Sequence, residues 1–475
     1  MAEHPQDEVD KVRKYWSEEY FLVYDEEDDL CADPRVRALL EKCLTPTNMQ
    51  ALADRVKIRL ATGLDEFSTY LIKMGGPELA ETFTDALVDE VSMFIFPESW
   101  STWHATMIPK PGKPGNRLSG WREIWIQAHL WKLVVGAVLP LALTKINDVK
   151  PWSNAGFDMG RSCPEQSLAA FFRIEIAMVM HTPLHLYFQD FSLFFPSLSR
   201  MLVAFILHEQ GVPTELVQLL REMQDQVKGA FKTIRGPTRT CPMLCGMPMG
   251  AVEAPPFSLT IAGLVERALT GALAGSSLPG KLGELIAILC LWYADDACAG
   301  DSEPRIVQAI VDGMALVSQL LLGLKIGHDP AGASKSASSS WKFNAAGEFV
   351  HDEDTKFQIP IGADASDIEL ALTALYRYLG LMLGPGVDRV AEERGFVVRA
   401  LALLEMLSNM GRAAPDQMMH ACNSVKIGAF VFPGRSVPMS VPTTDSLDIA
   451  CRRLFSEHGN WSGGLKNIGF SVPVA

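Results

Sequence analysis

Apolar positions along the chain recur with two periods, and each period predicts a different kind of element. Spacing by three and four residues predicts a helix that begins at Pro77, with Leu79, Phe83, Leu87 and Val91 on one face. The same spacing predicts further helices within 35–98 and at 126–146, 164–180, 199–209, 214–226, 255–274, 304–323, 389–409, 415–430 and 445–456. Short apolar runs between turn signals predict strands at 103–109, around Arg122, and at 184–189, 228–240, 285–300, 340–344 and 376–383. These elements together predict an α+β fold.

Charge is distributed unevenly along the chain. The net charge is −14, and residues 1–30 hold 11 acidic and 3 basic side chains. We therefore expect residues 1–34 to form an acidic, solvated, disordered leader. Residues 101–135 are locally basic, which is compatible with phosphate contact on an otherwise acidic protein.

Several functional classes are disfavoured by the sequence. The longest apolar segment, Leu133 to Leu143, is interrupted by Pro140 and is too short to span a bilayer, so we expect no membrane association. Nine cysteines in 475 residues do not form a disulfide framework, and Cys241 and Cys245 lack the neighbours of a zinc site. We expect reduced thiols and an intracellular location, either nuclear or cytoplasmic.

Two adjacent carboxylates form the most informative local pattern. Tyr293-Ala294-Asp295-Asp296 lies between an apolar run that ends at Trp292 and three small apolar residues. Charged side chains in apolar surroundings are costly unless they are paired or bind a metal ion. A hairpin tip that presents carboxylates to divalent cations fits this pattern, and a plain solvated turn is the alternative.

Asp190 follows a second apolar strand, Leu184 to Gln189. Taken alone, an aspartate here fits a cap of the next helix. Taken with Asp295 and Asp296, it predicts three carboxylates on two neighbouring strands. Such a group suits two Mg²⁺ ions, with Mn²⁺ as a possible substitute, about 3.5–4 Å apart.

The order of these motifs resembles the reverse transcriptase domain of non-LTR (LINE-type) retrotransposons, to which group II intron reverse transcriptases are related. The resemblance runs from about Gly63 to the C-terminus. The segments that carry it, besides the Tyr-Ala-Asp-Asp segment, are Gly63-Leu64-Asp65, Ile108 to Lys113, Trp121 to Ile124, Gly156 to Ser162, Gly246 to Gly250, Gly323 to Ile326, and Tyr378-Leu379-Gly380. Each is short, and their common order makes the similarity specific.

The resemblance implies a right-hand polymerase with fingers, an antiparallel-sheet palm with a ferredoxin-like core, and a helical thumb. Residues 35–183 would be N-terminal helices and fingers, 184–385 the palm, and 386–475 the thumb-like region. The implied activity is RNA-directed DNA polymerisation, in which an RNA template directs extension of a DNA primer with dNTPs. The source would be a retrotransposon-like element, and the oligomeric state is left open.

The resemblance also implies roles for individual residues. Asp190 and Asp295 would be the main metal ligands, supported by Asp296 and by the carbonyl of Phe191. The residues implied in nucleotide binding are Lys110, Arg122, Phe195, Met249, Gly250 and Lys335. Phe195 would be the steric gate that excludes a 2′-hydroxyl; core packing is its alternative, and solubility of a turn is the alternative for Lys110. The residues implied in template or primer binding are Gly156, Phe157, Arg161, Tyr293, Tyr378, Leu379 and Gly380.

The chain departs from the family pattern at four positions. Met249 stands where the family has Gln, Ala251 where it has Ser, Asp158 where it has Arg, and Pro196 where it has Asp. These departures and the acidic charge motivate a second hypothesis, a catalytically impaired or domesticated nucleic-acid-binding protein. An RNA-directed RNA polymerase is a third hypothesis, which the bulky Phe195 disfavours.

Overall fold

The computed structural model describes the chain in several ranges. These are 33–55, 63–110, 120–150, 153–158, 160–233, 236–273, 290–327, 336–360, 367–379 and 381–387, with a few positions between 394 and 405. Within them the chain combines helices with two main β-sheets, in agreement with the α+β class. The predicted leader and the predicted thumb-like region, with its three helices, lie almost entirely outside the described residues.

The described helices follow the predicted ones closely. They are α1 (Pro34–Cys43), α2 (Pro46–Arg55), α3 (Tyr70–Ser92), α4 (Glu98–Ser101), α5 (His129–Val149), α6 (Cys163–Val179), α7 (Phe194–Ser197), α8 (Arg200–Glu209), α9 (Thr214–Asp225), α10 (Ala254–Leu273) and α11 (Pro304–Ala315), which continues as a π-helix (Leu316–Leu321). A kink at Gly76, whose φ is 69°, divides α3, so its second part begins at Pro77 as predicted. The short helices α4 and α7 were not predicted.

Pro140 does not end the helix predicted at 126–146, although it divides the apolar run from Leu133 to Leu143. It lies inside α5, a 21-residue helix with ten buried residues. Packing around the whole helix compensates for the hydrogen bond that a proline cannot donate. Of the described helices, α5 alone is long and apolar enough to span a membrane, but 56% of its most apolar window is buried in the protein. A core helix has the same properties, so this is weak support for a membrane span.

The first sheet combines two strands from the segment predicted as fingers with three strands from the segment predicted as palm. Its strands are β1 (Thr102–Pro109), β2 (Trp121–Ile126), β5 (Lys228–Thr233), β6 (Gly236–Pro237) and β7 (Cys241–Pro242). They lie in the order β2-β1-β5-β6, with β7 also paired to β5. β1 pairs antiparallel with β2, so that Ile108 lies opposite Arg122.

The second sheet contains the two predicted carboxylate strands. Its strands are β3 (Leu184–Gln189), β8 (Cys290–Tyr293), β9 (Asp296–Asp301), β11 (Ala337–Phe343), β12 (Phe349–His351) and β15 (Ala371–Leu372). They lie in the order β12-β11-β3-β9-β8, with β15 beside β11. The remaining strands form two-stranded pairs: β4 (Phe191–Ser192) with β10 (Lys325–Ile326), β13 (Gln358–Ile359) with β14 (Ile368–Glu369), and β16 (Tyr376–Tyr378) with β17 (Leu381–Leu383).

Both faces of the second sheet are covered. Alternate residues of its strands enter two separate apolar clusters, as the period of two in a strand requires. Leu184, Leu186 and Phe188 of β3 pack in a cluster with α6 and with the β16–β17 hairpin. Tyr187 of β3 belongs to the larger cluster, which includes α5, α10 and α11. The sheet is therefore a central layer that is covered on both faces.

Asp65, in one of the predicted family segments, fixes the start of α5. Its Oδ2 accepts hydrogen bonds from the backbone amides of His129 at 3.0 Å and Leu130 at 3.4 Å. Ala128, at the N-cap of α5, provides no side-chain cap. A carboxylate from a distant segment thus satisfies two of the amide groups that a helix start leaves unpaired.

We expect Asp65→Ala to lower the free energy of unfolding by about 1–2 kcal/mol, because two buried amides lose their acceptor. Asp65→Asn keeps an acceptor oxygen and should recover part of that loss. Urea unfolding followed by circular dichroism measures both. Glu78→Ala, at an exposed position of α3, is the control and should change stability by less than about 0.5 kcal/mol. Equal stability of Asp65→Ala and the wild type would contradict this role.

Candidate active site

The register of β3 and β9 brings Asp190 and Asp296 to neighbouring positions. The two strands are antiparallel, and Gln189 opposite Ala297 is the last pair at this end of the ladder. The next positions in the same register are Asp190 and Asp296, which are separated by 106 residues in the sequence. Residues directly opposite in antiparallel strands have Cα atoms about 4.5–5.5 Å apart. Asp190 and Asp296 therefore lie side by side at one end of the sheet.

Asp295 lies in the turn that joins the two hairpin strands. Tyr293 pairs with Asp296, which leaves Ala294 and Asp295 as a two-residue connection. Ala294 has a φ of 60°, and a positive φ at this position is a feature of the tight turns that close β-hairpins. Asp295 thus follows a strained residue at the tip, beside Asp296 and outside the ladder.

Asp190 is held through its backbone and does not cap a helix. Its amide donates to Ser336 Oγ at 3.1 Å, and its carbonyl accepts from the Gly327 amide at 2.7 Å. Helix α7 has Leu193 at its N-cap and no side-chain cap, and Ser199 caps α8. The helix-capping alternative for Asp190 is therefore wrong. The residue is 7% exposed, at the junction of β3 with the β4–β10 pair.

A phenol lies near both carboxylates. The ring of Tyr376 stacks on Phe188 with centroids 4.0 Å apart and an angle of 10° between the planes. Burial raises the pKa of Tyr376, and the negative charges of Asp296 and Asp190 raise it further. Tyr376 therefore remains a neutral hydroxyl beside two acids at physiological pH.

Asp190 and Asp296 carry oxygen donors of the kind that bind Mg²⁺. Among the described residues, no group of three or more His, Cys, Asp or Glu side chains is arranged to hold a metal ion. Mg²⁺ sites in phosphoryl-transfer enzymes often use only one or two carboxylates, with water and substrate phosphates as the other ligands. Asp190 and Asp296 supply such a pair of hard oxygen donors. Phe191 has a buried ring, and its backbone is paired with Ile326.

The segment 153–156 extends the sheet beside the carboxylate hairpin. The Ala155 amide donates to the Trp292 carbonyl at 3.0 Å, and the Trp292 amide donates to the Ser153 carbonyl at 3.2 Å. A Cβ atom on Gly156 would lie 2.2 Å from the Ala294 nitrogen. Gly156 is thus needed for close packing against the turn, whereas the sequence had implied a contact with template or primer.

Phe195, the predicted gate, contacts Phe157 and is connected through the chain to Met249, and both of these residues were also predicted as site residues. The ring centroid of Phe195 lies 6.3 Å from that of Phe157, with 65° between the planes. The Met247 amide donates to the Phe195 carbonyl at 2.7 Å, and the Met249 carbonyl accepts from the Trp125 amide at 2.8 Å. The residues from Met247 to Met249 therefore connect the gate to β2.

Gly250 follows with a φ of 107°, and a Cβ there would lie 2.5 Å from the Trp125 carbonyl oxygen. Close approach to β2 and a left-handed conformation both require glycine at this position. Met249 is partly buried beside it. The segment from Met247 to Gly250 thus links the neighbourhood of the carboxylates to the strand that carries Arg122.

The two predicted phosphate-binding residues lie on the first sheet. Arg122 is exposed on β2, three residues before Trp125. Lys110 directly follows β1, and its amide donates to the Gly120 carbonyl at 2.7 Å. Since Ile108 pairs with Arg122, both basic residues lie near the same end of the β1–β2 ribbon.

The remaining predicted residues differ in accessibility. Arg161 forms an ion pair with Glu165, Nη2 to Oε1 at 2.5 Å. Tyr378 is 2% exposed and its hydroxyl donates to the Leu291 carbonyl at 3.2 Å, so its side chain packs the sheet and offers no surface to nucleic acid. Leu379 forms the turn after β16 with a φ of 47°, and Tyr293 is partly buried. Lys335 and Gly380 lie outside the described residues.

Four residues of this region were not singled out from the sequence. They are Tyr376, Ser153, Glu266 and Lys150. Glu266 of α10 accepts hydrogen bonds from Ser153 Oγ at 2.6 and 2.5 Å, and Lys150 Nζ lies 2.5 Å from Asp158 Oδ1. The sequence signal for Asp158 was its departure from the family's Arg; the other contacts join segments whose proximity only the fold reveals.

We expect Gly156→Ala to displace the Ala294 turn and to lower the free energy of unfolding by about 1–3 kcal/mol, because the added methyl group has no space. Hydrogen exchange should accelerate at the amides of Ala155 and Trp292. Gly160→Ala is the matched control, since Gly160 has a φ of 82° but no atom within 4 Å of its Cβ position. It should carry backbone strain without faster exchange at Trp292. Unchanged exchange in Gly156→Ala would contradict the packing role.

Glu266 should make stability depend on pH. Burial raises its pKa from 4.5 to about 7, against a lowering effect of the Ser153 hydrogen bond. Between these two pH values the folded chain retains a proton that the unfolded chain has lost. Its contribution is therefore complete below pH 4.5 and is lost as the pH rises to about 7, with a slope of at most about 1.4 kcal/mol per pH unit.

Glu266→Gln should remove this slope while keeping an acceptor for Ser153. Urea unfolding of both proteins from pH 4.5 to 8 measures the difference between their free energies of unfolding. That difference should change in favour of the variant as the pH rises. Parallel curves across the whole range would contradict the assigned titration.

Comparisons with known proteins give one distant structural similarity. No protein-family model matches the sequence, and no curated protein matches it. The solved structures to which the chain is similar include apo telomerase from Candida tropicalis truncated from its C-terminal domain. The TM-score is 0.39 and the sequence identity 10%, and the match covers 61% of this chain and 56% of the telomerase chain. A similarity of this size establishes neither fold nor function. Any function of the protein has to be inferred from the geometry of the carboxylates and their neighbours.

Proposed function

We propose that the protein is an RNA-directed DNA polymerase of the reverse transcriptase type, from a retrotransposon-like element. The observation that carries this proposal is the adjacency of Asp190 and Asp296 at one end of a sheet, next to the turn that holds Asp295. Fingers, palm and thumb would correspond to residues 35–183, 184–385 and 386–475. RNA template, DNA primer and dNTPs would be the partners.

The carboxylates would act as ligands of two Mg²⁺ ions, or of Mn²⁺ in their place. When bound, such ions activate an attacking hydroxyl and stabilise the leaving pyrophosphate. The chain itself fixes the position of Asp190 through its backbone bonds to Ser336 and Gly327. Rigid placement of charged groups supplies much of the acceleration in phosphoryl transfer. The Phe191 carbonyl would be a further ligand.

The remaining residues would bind and select the nucleotide. Lys110 and Arg122 would contact the triphosphate, and the planar fork of Arg122 suits paired phosphate oxygens. Phe195 would lie under the sugar and exclude a 2′-hydroxyl. Gly250 and Met249 would face the new base pair, and Lys335 would donate a proton to pyrophosphate. Arg161, Tyr293 and Leu379 remain candidates for contact with template or primer, and Gly380 belongs to the same proposed turn.

A second candidate function is a nucleic-acid-binding protein with impaired catalysis. Two observations favour it: Met249 cannot form the hydrogen bond that a glutamine would form at this position, and the described residues hold no group of three metal-ligating side chains. This protein would bind template and primer without extending the primer. Both candidates therefore bind the same nucleic acids, and they differ in whether the primer is extended.

Extension of a DNA primer on an RNA template, with purified protein, dNTPs and Mg²⁺, separates the two candidates. We expect the wild type to extend the primer and Asp190→Asn, Asp295→Asn and Asp296→Asn each to reduce the rate by about 10³-fold or more, since each removes a charge at the reacting phosphate. Asp301→Asn is the matched control, because Asp301 ends the same strand β9 and accepts a hydrogen bond from the Glu303 amide at 2.9 Å. It should extend at the wild-type rate.

Absence of extension by the wild type, with binding of primer–template retained, would favour the second candidate. Equal rates for the three aspartate variants and the wild type would refute the assignment of these carboxylates. Ribonucleotides incorporated as fast as deoxynucleotides would instead favour RNA-directed RNA polymerisation.

A further inference from the structure

Phe157 is an exposed aromatic residue in a strained conformation. Its φ is 57°, in the left-handed region, and its side chain is 48% exposed. This conformation costs an L-amino acid about 1–2 kcal/mol. Residues that keep such strain are held by their surroundings and are concentrated at functional sites. Core packing does not account for a ring that is half exposed, so another constraint maintains it.

The segment that carries Phe157 is fixed on both sides. Before it, Ala155 is hydrogen-bonded to Trp292, and Gly156 packs against the backbone of Ala294. After it, Asp158 forms an ion pair with Lys150, and the two side chains are only 19% and 12% exposed. The strain at Phe157 is thus imposed by the carboxylate hairpin on one side and by a shielded ion pair on the other.

The ring of Phe157 lies against the proposed gate. Phe195 is fixed by its own contacts, since its carbonyl accepts from Met247 and its ring lies 5.3 Å from that of Phe194. The edge-to-face contact of 6.3 Å between Phe157 and Phe195 joins two independently anchored loops. One of these loops packs on the turn that holds Asp295, and the other follows Asp190 by five residues.

We propose that Phe157 and Phe195 together form a two-ring gate that discriminates between deoxyribose and ribose in the incoming nucleoside triphosphate. This inference rests on the proposed polymerase function and deepens it. A single phenylalanine can yield to a 2′-hydroxyl by rotating about its side-chain bonds, whereas a second ring against it restricts that rotation. Phe157 is therefore a specificity-determining, positioning residue, and Lys150 and Asp158 hold it in place.

The same contacts give a structural account of the unusual Asp158. In the family that the sequence resembles, this position carries an arginine. Here the carboxylate is neutralised by Lys150 and directed into the protein, with a Nζ to Oδ1 distance of 2.5 Å. The ion pair would thus hold the segment that carries Phe157 and keep its ring against Phe195.

Single-nucleotide incorporation tests the gate, with kcat/KM measured for a dNTP and for the matching rNTP. In Phe157→Gly we expect the preference for dNTP to fall about tenfold or more, because kcat/KM for the rNTP rises once the second ring is removed. The melting temperature should not fall by more than a few degrees, since glycine relieves the strain at this φ. Phe157→Leu, which keeps an apolar side chain, is the second variant and should give an intermediate preference. Phe172→Ala, at a phenylalanine of α6 that is 55% exposed, is the control and should keep the wild-type ratio.

Two combinations test whether the rings and the ion pair act together. Phe195→Ala and the Phe157→Gly/Phe195→Ala double variant should have the same preference, because residues that act as one unit are not additive. Lys150→Asp and Asp158→Lys should each lower the preference, and the double exchange should restore it in part.

The possible failures are distinguishable. If the wild type does not extend a primer, the proposed function fails and the gate with it. If the wild type extends and prefers dNTPs, but Phe157→Gly and Phe157→Leu keep the wild-type ratio, the gate alone is overturned. Additive effects of the Phe157 and Phe195 variants would likewise overturn it, since they would show two independent contributions.

Discussion

The antiparallel ladder between β3 and β9 is the constraint on which the rest of the site depends. It places Asp190 and Asp296 side by side although 106 residues separate them in the sequence. Neighbouring acidic residues at the end of paired strands are typical of sites that bind a cation or a substrate.

Short segments from three other parts of the chain support this arrangement. The β4–β10 pair and Ser336 fix the backbone of Asp190. The segment from Ser153 to Gly156 packs along β8 and against the hairpin turn. The β16–β17 hairpin covers the same end of the sheet with Tyr376. Asp190 and Asp296 are thus placed by contacts of their backbone, with other backbone groups and with the Ser336 hydroxyl.

Much of the fold was predictable because its periodic signals are strong. Helix α3 from Pro77 and strand β3 were predicted within one or two residues, as apolar spacing and proline mark them clearly. The pairing of Asp190 with the hairpin was predictable only through the order of motifs. Two-residue strands such as β4 and β10 carry too few residues for any periodic signal. They form because neighbouring segments supply their partners.

The side-chain environment was less predictable than the elements. Nothing in the local sequence around Tyr376 indicates that it faces Asp190 and Asp296, because the contact depends on the position of a distant hairpin. The same holds for Lys150 and Asp158. Their ion pair accounts for an acidic residue at a position where the resemblance implies arginine. Gly156 and Tyr378 were assigned to nucleic acid by resemblance, and in the structure they pack the hairpin and the sheet. A motif therefore predicts which segments lie near the site more reliably than it predicts which side chains contact nucleic acid.

The central claim is that Asp190, Asp295 and Asp296 form one cation-binding pocket. Its most direct test is a crystal structure of the protein with Mn²⁺ and a non-hydrolysable dNTP analogue, with the metal located by its anomalous scattering. The account predicts anomalous peaks between the carboxylates of Asp190 and of the Asp295–Asp296 turn, bridged to the triphosphate. Metal bound elsewhere, or carboxylates of Asp190 and Asp296 more than about 10 Å apart and thus too distant to share ions, would contradict it.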